Sequence, residues 1–202
     1  MIGLGGVKKE VNNLINKIHI SKLRTDQGMA PLPMEMHLVF TGNPGTGKTT
    51  VARLIAKIYY SLGILSKGQF VEVDRSGLVA GYMGQTAEKV QDVVKRSLGG
   101  VLFIDEAYSL VVDKSEGDFG KEAIDTLNKA IEDHREDFIV IVAGYPKEMD
   151  QFLDANPGMK SRFNTYIHFE DYESSDLVKI LIYMSKKMEY FFEPEAISYI
   201  ID

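Results

Sequence analysis

The sequence predicts an α/β fold whose parallel sheet is covered by helices on both faces. Three observations carry this expectation. Five short runs are apolar almost throughout, as strands buried on both faces are. Stretches with helical period separate most of them. A glycine-rich segment with one lysine joins the first apolar run to the first helical stretch.

The elements follow in order. "HLVFTG" (His37–Gly42) is a short apolar run ending in glycine and reads as a buried strand. Across Thr49–Leu62, the residues Val51, Leu54, Ile55, Ile58 and Leu62 share one helical face, and Gly63 follows as a stop. "QFVEVD" (Gln69–Asp74) is a second strand, and Ala87–Leu98 an amphipathic helix ended by Gly99 and Gly100. "VLFID" (Val101–Asp105) is a strand with an acidic tip. Ile124, Leu127 and Ile131 mark another helix, followed by the strands "FIVIVAG" (Phe138–Gly144) and "TYIHFED" (Thr165–Asp171). After Asp171 the strands stop. Ser174–Met188 and Pro194–Ile201 read as helices, which divides the chain into an α/β domain at 1–171 and a small helical domain at 172–202. The most loop-like stretch is "VDKSEGDFG" (Val112–Gly120).

Composition narrows the function. A net charge of −6 argues against a general nucleic-acid binder, because phosphate contacts need clustered Lys and Arg. No cysteine means no disulfide, no thiolate metal site and no cysteine nucleophile, in keeping with a reducing cytoplasm. The four histidines (His19, His37, His134, His168) are scattered, and none pairs at metal-ligand spacing. No apolar run approaches the length of a membrane span, and the N-terminus lacks a signal-peptide pattern.

"GNPGTGKT" fits the phosphate-binding pattern G-x-x-x-x-G-K-[ST]. Glycines let the backbone curl so that its N–H groups point inward at phosphate oxygens, and the helix that follows presents its N-terminus to the same anion. Asn43, Pro44, Gly45, Thr46, Gly47, Lys48, Thr49 and Thr50 form this cradle. Lys48 is expected to reach the β- and γ-phosphates of ATP or ADP, and the Thr49 hydroxyl to ligate Mg²⁺. A glycine-rich turn can match by chance, but here a strand precedes the pattern and an amphipathic helix follows, as the mechanism requires.

A second pair supports the first. "VLFIDE" delivers Asp105 and Glu106 together at the C-terminal end of a strand, where open α/β sheets bind ligands. Asp105 is expected to hold the Mg²⁺ and Glu106 to polarise an attacking water as general base. An acidic pair at a strand end is also a common solvated terminus; behind a phosphate loop and four apolar residues it reads as catalytic. The adjacent Glu implies transfer to water rather than to an acceptor.

These runs resemble the AAA+ ATPases over nearly the whole chain. "HLVFTGNPGTGKTTVARLIAKIYY", "GGVLFIDEAYSL", "IVIVAGYPKEMDQFL" and "SRFNTYIHFEDY" are similar to the branch of stage V sporulation protein K and the CbbX-type rubisco activases. The resemblance implies a five-stranded parallel sheet in the order 5-1-4-3-2, a helical lid, and self-association into a ring, expected to be a hexamer. It implies that "IGLGGVKKEV", with Ile2, Gly3 and Leu4, packs against adenine. It gives Arg162, in "NPGMKSRFN", the role of a finger that reaches a neighbouring subunit's γ-phosphate; the alternative is a surface arginine before a strand. Lys160 stands where a second arginine would be unsurprising, a departure from the family's pattern at any second basic contact. Tyr145, in "VAGYP", falls near the family's first sensor, where many members place Asn, and could order a water or simply pack.

For substrate, the informative stretch is "GYMGQT". In threading members of the family this loop faces a central pore with an aromatic followed by an apolar residue; Tyr82 and Met83 match. The alternative is a turn tyrosine packing on its own domain. The acidic loop around Asp113–Asp118 reads as solvated, or else as a second pore loop. Family members continue beyond Asp202, so the chain reads as the core of a longer protein. The expected function is an ATP hydrolase that remodels a polypeptide client. A nucleotide-controlled switch or scaffold is the second reading, and a motor loading nucleic acid a third.

Overall fold

The computed structural model describes residues 2–32, 34–82, 84–112, 119–193 and 196. A long helix α1 (Gly5–Asp26) opens the fold. Strand β1 (Leu38–Gly42) leads through the glycine-rich loop into α2 (Lys48–Ser61). β2 (Phe70–Val73), α3 (Arg75–Leu78), α4 (Gln85–Ser97), β3 (Val101–Ile104) and α5 (Ser109–Val112) follow. Then come α6 (Gly120–Asp133), β4 (Ile139–Gly144), α7 (Pro146–Asp154), α8 (Pro157–Arg162), β5 (Thr165–Phe169) and α9 (Ser174–Lys187).

The five strands form one parallel sheet in the order β2-β3-β4-β1-β5, the expected order read from the other edge. Alternation along the strands builds two cores. Val39, Leu102, Ile104, Val140 and Val142 face one side and meet Val90 and Val94 of α4 and Ile124, Leu127 and Ile131 of α6. Leu38, Phe40, Val101, Phe103, Ile139 and Ile141 face the other and meet α1 and α2. The central strands β3 and β4 are buried at every position, whereas edge strand β5 alternates, exposing Tyr166 and His168 and burying Ile167 and Phe169.

The structure departs from the sequence reading at α1. Val7, Val11, Leu14 and Ile18 fall on one face at spacings of four, three and four, and all are buried against the sheet. That period was present in the sequence but diluted by a polar remainder. Short helices α3 and α8 were also not expected; each is capped at its N-terminus by the residue before it, Asp74 accepting from Gly77 N and Asn156 from Gly158 N. Of the expected helix at Pro194–Ile201, only Ala196 lies within the described residues, and the loop Asp113–Asp118 lies outside them. Among the described residues no helix is long and apolar enough to cross a membrane.

Candidate functional site

β1 carries the chain to Gly42, which pairs with Phe169 in β5, and the loop then folds back over the end of the sheet. Gly45 (φ 77°) and Gly47 (φ 94°) hold left-handed conformations that side chains resist, so the loop can curl only with glycine there. Gly47 is the N-cap of α2 and brings no capping side chain. The free N–H groups of the first turn are therefore available to an anion. The Thr46 hydroxyl is buried and donates to the Asn43 carbonyl at 2.7 Å. Lys48 Nζ donates to the carbonyls of Gly42 (2.9 Å) and Asn43 (2.8 Å), which folds the ammonium back onto the loop. Partial burial lowers the Lys48 pKa, while the charges of Asp105 and Glu106 oppose that shift.

β3 delivers the two acids. The Asp105 N–H donates to Val73 O at 2.9 Å, extending the β2–β3 ladder by one residue. At Glu106 the chain turns sharply, with φ 48°, one of three non-glycine residues at positive φ among the described residues. The turn is held by Glu106 N–H donating to Asp105 Oδ1 (3.0 Å), Ala107 N–H to Ala143 O (3.0 Å) and Ser109 N–H to Glu106 O (2.8 Å). A left-handed glutamate costs on the order of 1 kcal/mol, and such strain gathers at functional sites.

One cavity of about 330 Å³ joins these parts: Pro44, Gly45, Gly47, Lys48, Thr49 and Thr50 on one wall, Asp105, Glu106, Tyr108 and Tyr145 on the other. Six expected site residues on the loop, both acids and Tyr145 thus line one space, whereas Asn43 and Thr46 do not. Tyr108 was not anticipated. Its ring lies 5.9 Å from that of Tyr145, tilted by 47°, and burial together with the Glu106 charge raises its phenol pKa. The sequence signal was its position two residues beyond the acidic pair.

A second cavity of about 500 Å³ shares Gly45, Gly47 and Thr50 with the first. Ile2 and Leu4 of the opening segment line it with Val51, and Gly3 does not. Tyr172, Ile180, Tyr183 and Met184 close it from the hinge and α9, residues that sequence reasoning missed because only packing brings α9 over the loop. Gly3 (φ 59°) sits beneath Tyr172 and Asp176, where an added Cβ would lie 2.5 Å from Asp176 Oδ2.

A cation fits the donor set. Mg²⁺ takes one or two protein oxygens and completes its shell with substrate phosphates and water, and the first cavity offers the Thr49 hydroxyl and the Asp105 carboxylate. Among the described residues no cluster of three His, Cys, Asp or Glu forms a self-sufficient metal site.

Arg162 ends α8 and is largely covered. Nη1 donates to Asn128 Oδ1 (3.1 Å) and Gly158 O (2.8 Å), and Nη2 pairs with Glu132 (2.5 Å). Lys160 is not a second free cation: it pairs with Asp154. Tyr82 is 75% exposed, so it is not a packing residue of its own domain. Its loop is pinned at the base, where Ala80 N–H donates to Thr86 Oγ1 (3.0 Å) and Lys89 Nζ to the carbonyls of Ser76 (2.6 Å) and Val79 (3.0 Å). Met83 lies outside the described residues.

A lysine-bearing glycine loop between β1 and α2, with an acidic pair at the tip of a strand two places away, defines a P-loop nucleotide-binding fold. The chain belongs to the ATPase family associated with various cellular activities (AAA), which it matches over residues 38–171. It is 47% identical over 196 residues to stage V sporulation protein K of Bacillus subtilis (strain 168), covering 97% of this chain and 61% of that protein. It is 42% identical over 196 residues to the chloroplastic ribulose bisphosphate carboxylase/oxygenase activase of Cyanidioschyzon merolae (strain NIES-3377 / 10D), covering 97% and 67%. The chain thus spans about three-fifths to two-thirds of these relatives. A solved structure of a RuvB variant from Thermotoga maritima superposes with a TM-score of 0.63 at 23% identity, covering 97% of this chain and 55% of that one, which shows the shared fold.

Proposed function

We propose that the chain hydrolyses Mg-ATP and, assembled with copies of itself into a ring, expected to be a hexamer, uses the cycle to remodel a polypeptide client. The observation that carries hydrolysis is the single cavity joining the loop, Lys48, Thr49, Asp105 and Glu106. Residues 1–171 form the nucleotide-binding domain, and 172–202 begin a helical lid. The second cavity, between Ile2, Leu4 and α9, receives the nucleoside. We place the reaction in the cytoplasm, where a chain without cysteine loses nothing to reducing conditions.

The roles follow from chemistry. Lys48 exchanges its two carbonyl partners for phosphate oxygens, a stronger charge-assisted contact. The N–H groups of the loop and of the first turn of α2 hold the remaining phosphate charge. Thr49 and Asp105 hold the Mg²⁺, which supplies neutralisation of the phosphate charge. Glu106, which lines the same cavity as Lys48, takes the proton of the attacking water. Tyr145, at the cavity edge beside Tyr108, orders that water. Arg162 leaves Glu132, Asn128 and the Gly158 carbonyl to meet the phosphates of a neighbouring copy; Glu132 is exposed, so water readily replaces the ion pair. The exposed Tyr82, on a loop pinned at its base, supports a gripping role, and the activase among the relatives supports a protein client.

Steady-state hydrolysis and nucleotide binding test the site. Lys48→Ala is expected to abolish binding. Glu106→Gln is expected to keep ATP bound and stop turnover. A Glu106→Gln chain that turns over at the parent rate refutes the assignment of the base.

A further inference from the structure

The segment that leaves the sheet for α9 touches the phosphate loop and the opening segment at three places. Asp171, two residues beyond β5, accepts from Asn43 Nδ2 with both carboxylate oxygens, at 3.0 and 2.9 Å. Tyr172 lays its hydroxyl on Gly47, where an added Cβ would lie 3.1 Å away. Asp176, in the first turn of α9, packs with Tyr172 over Gly3.

Asn43 is the node of this arrangement. Its carbonyl accepts from Lys48 Nζ at 2.8 Å and from the Thr46 hydroxyl at 2.7 Å, while its side chain is bound to Asp171. Through the Thr46 bond, which does not depend on Lys48, Asn43 ties the curl of the phosphate loop to the hinge, across 128 positions of sequence. We propose that Asp171 is a positioning residue for the nucleotide site: its hold on Asn43 fixes the phosphate loop and ties the loop's conformation to the placement of α9. The proposal rests on the nucleotide-binding reading above.

Charge makes the proposal decisive. A carboxylate beside a polyphosphate site repels the ligand, so if Asp171 acted only through its charge, removing it would tighten binding. If it acts by holding Asn43, removing it loosens the loop and weakens binding. Asn at position 171 keeps an acceptor for Asn43 and drops the charge. Because both partners are exposed, the expected effect is a small factor, about threefold to fivefold, as for one net hydrogen bond.

The experiment is a double-mutant cycle on MgADP affinity, read by displacement of N-methylanthraniloyl-ADP, with thermal melts of every variant. Asp171→Ala and Asn43→Ala are each expected to weaken binding about threefold to fivefold, and the double variant no further, because the same bond is lost. Asp171→Asn is expected to recover affinity relative to Asp171→Ala. Single losses that multiply in the double variant overturn the proposal. So does an Asp171→Ala chain that binds as tightly as the parent, whether or not its melting temperature falls. A parent chain that binds no better than Lys48→Ala fails the nucleotide reading itself, and the proposal with it.

Discussion

Glu106→Asn should stabilise the protein while destroying its activity. Glu106 sits at φ 48°, and its turn is fixed from three sides by the bonds to Asp105, Ala143 and Ser109, so the backbone will not relax when the side chain changes. A non-glycine residue in this region costs roughly 1–2 kcal/mol. Asn is enriched there because its short polar side chain bonds locally, and it recovers about half of that cost, or roughly 0.5–1 kcal/mol. Unlike glycine, it adds little freedom to the unfolded chain. The Glu106 side chain is exposed, so little packing is lost. For a chain of this size 1 kcal/mol moves the melting temperature by about 2–4 °C, which predicts a rise of about 1–4 °C. Asn is also shorter by one methylene and cannot take a proton, so turnover should vanish with ATP binding retained. Differential scanning calorimetry and a coupled ATPase assay read both effects. A melting temperature below the parent's would refute the strain argument; retained turnover would refute the role of the base.

Three further outcomes are expected. Arg162→Ala should bind ATP normally and turn over poorly, and mixing it with Glu106→Gln should restore activity at interfaces that pair an intact Glu106 with an intact Arg162; no recovery in mixed rings shown to form by native mass spectrometry would count against action between copies. Tyr82→Ala should leave the melting temperature and basal hydrolysis near the parent's, since surface changes stay within about 0.5 kcal/mol, and should lose client-stimulated hydrolysis, whereas Tyr82→Phe retains it; intact stimulation in Tyr82→Ala would favour the nucleotide-controlled switch. His37 is buried and accepts from Val140 N–H at 3.0 Å, and burial first, then Arg162, lowers its pKa to about 4. Its unfolded value is 6.5, so between those values the unfolded state binds the extra proton, and stability is full above about pH 6.5 and falls as pH drops toward 4, by up to about 3 kcal/mol. Urea melts across that range should show the slope for the parent and a flatter one for His37→Gln.

Much of this protein is local, and local features are what a sequence displays. The phosphate loop needs Gly45 and Gly47 at left-handed positions and a lysine at the helix start, so its chemistry lies in consecutive letters. The strands of the sheet interior announce themselves because burial on both faces demands apolar residues at every position, as in β3 and β4. The resemblance carried the strand order, which composition and period do not contain.

What tertiary structure alone decided is which distant residues meet. α1 was missed because one buried residue in three or four leaves a mostly polar helix, recognisable only once the sheet is there to cover its stripe. Tyr183 and Met184 line the cavity beside the glycine-rich loop because α9 folds back over it. Arg162 meets Asn128 and Glu132 because the fold brings the end of α8 within side-chain reach of α6. Tyr82 could have packed or projected; the bonds of Thr86 and Lys89 at its loop's base leave it in solvent. Asp171 reaches Asn43 only because β5 pairs beside β1 and brings both strand ends to one edge of the site. No periodicity records such a contact, since a hydrogen bond between residues 128 positions apart constrains two letters and nothing between them.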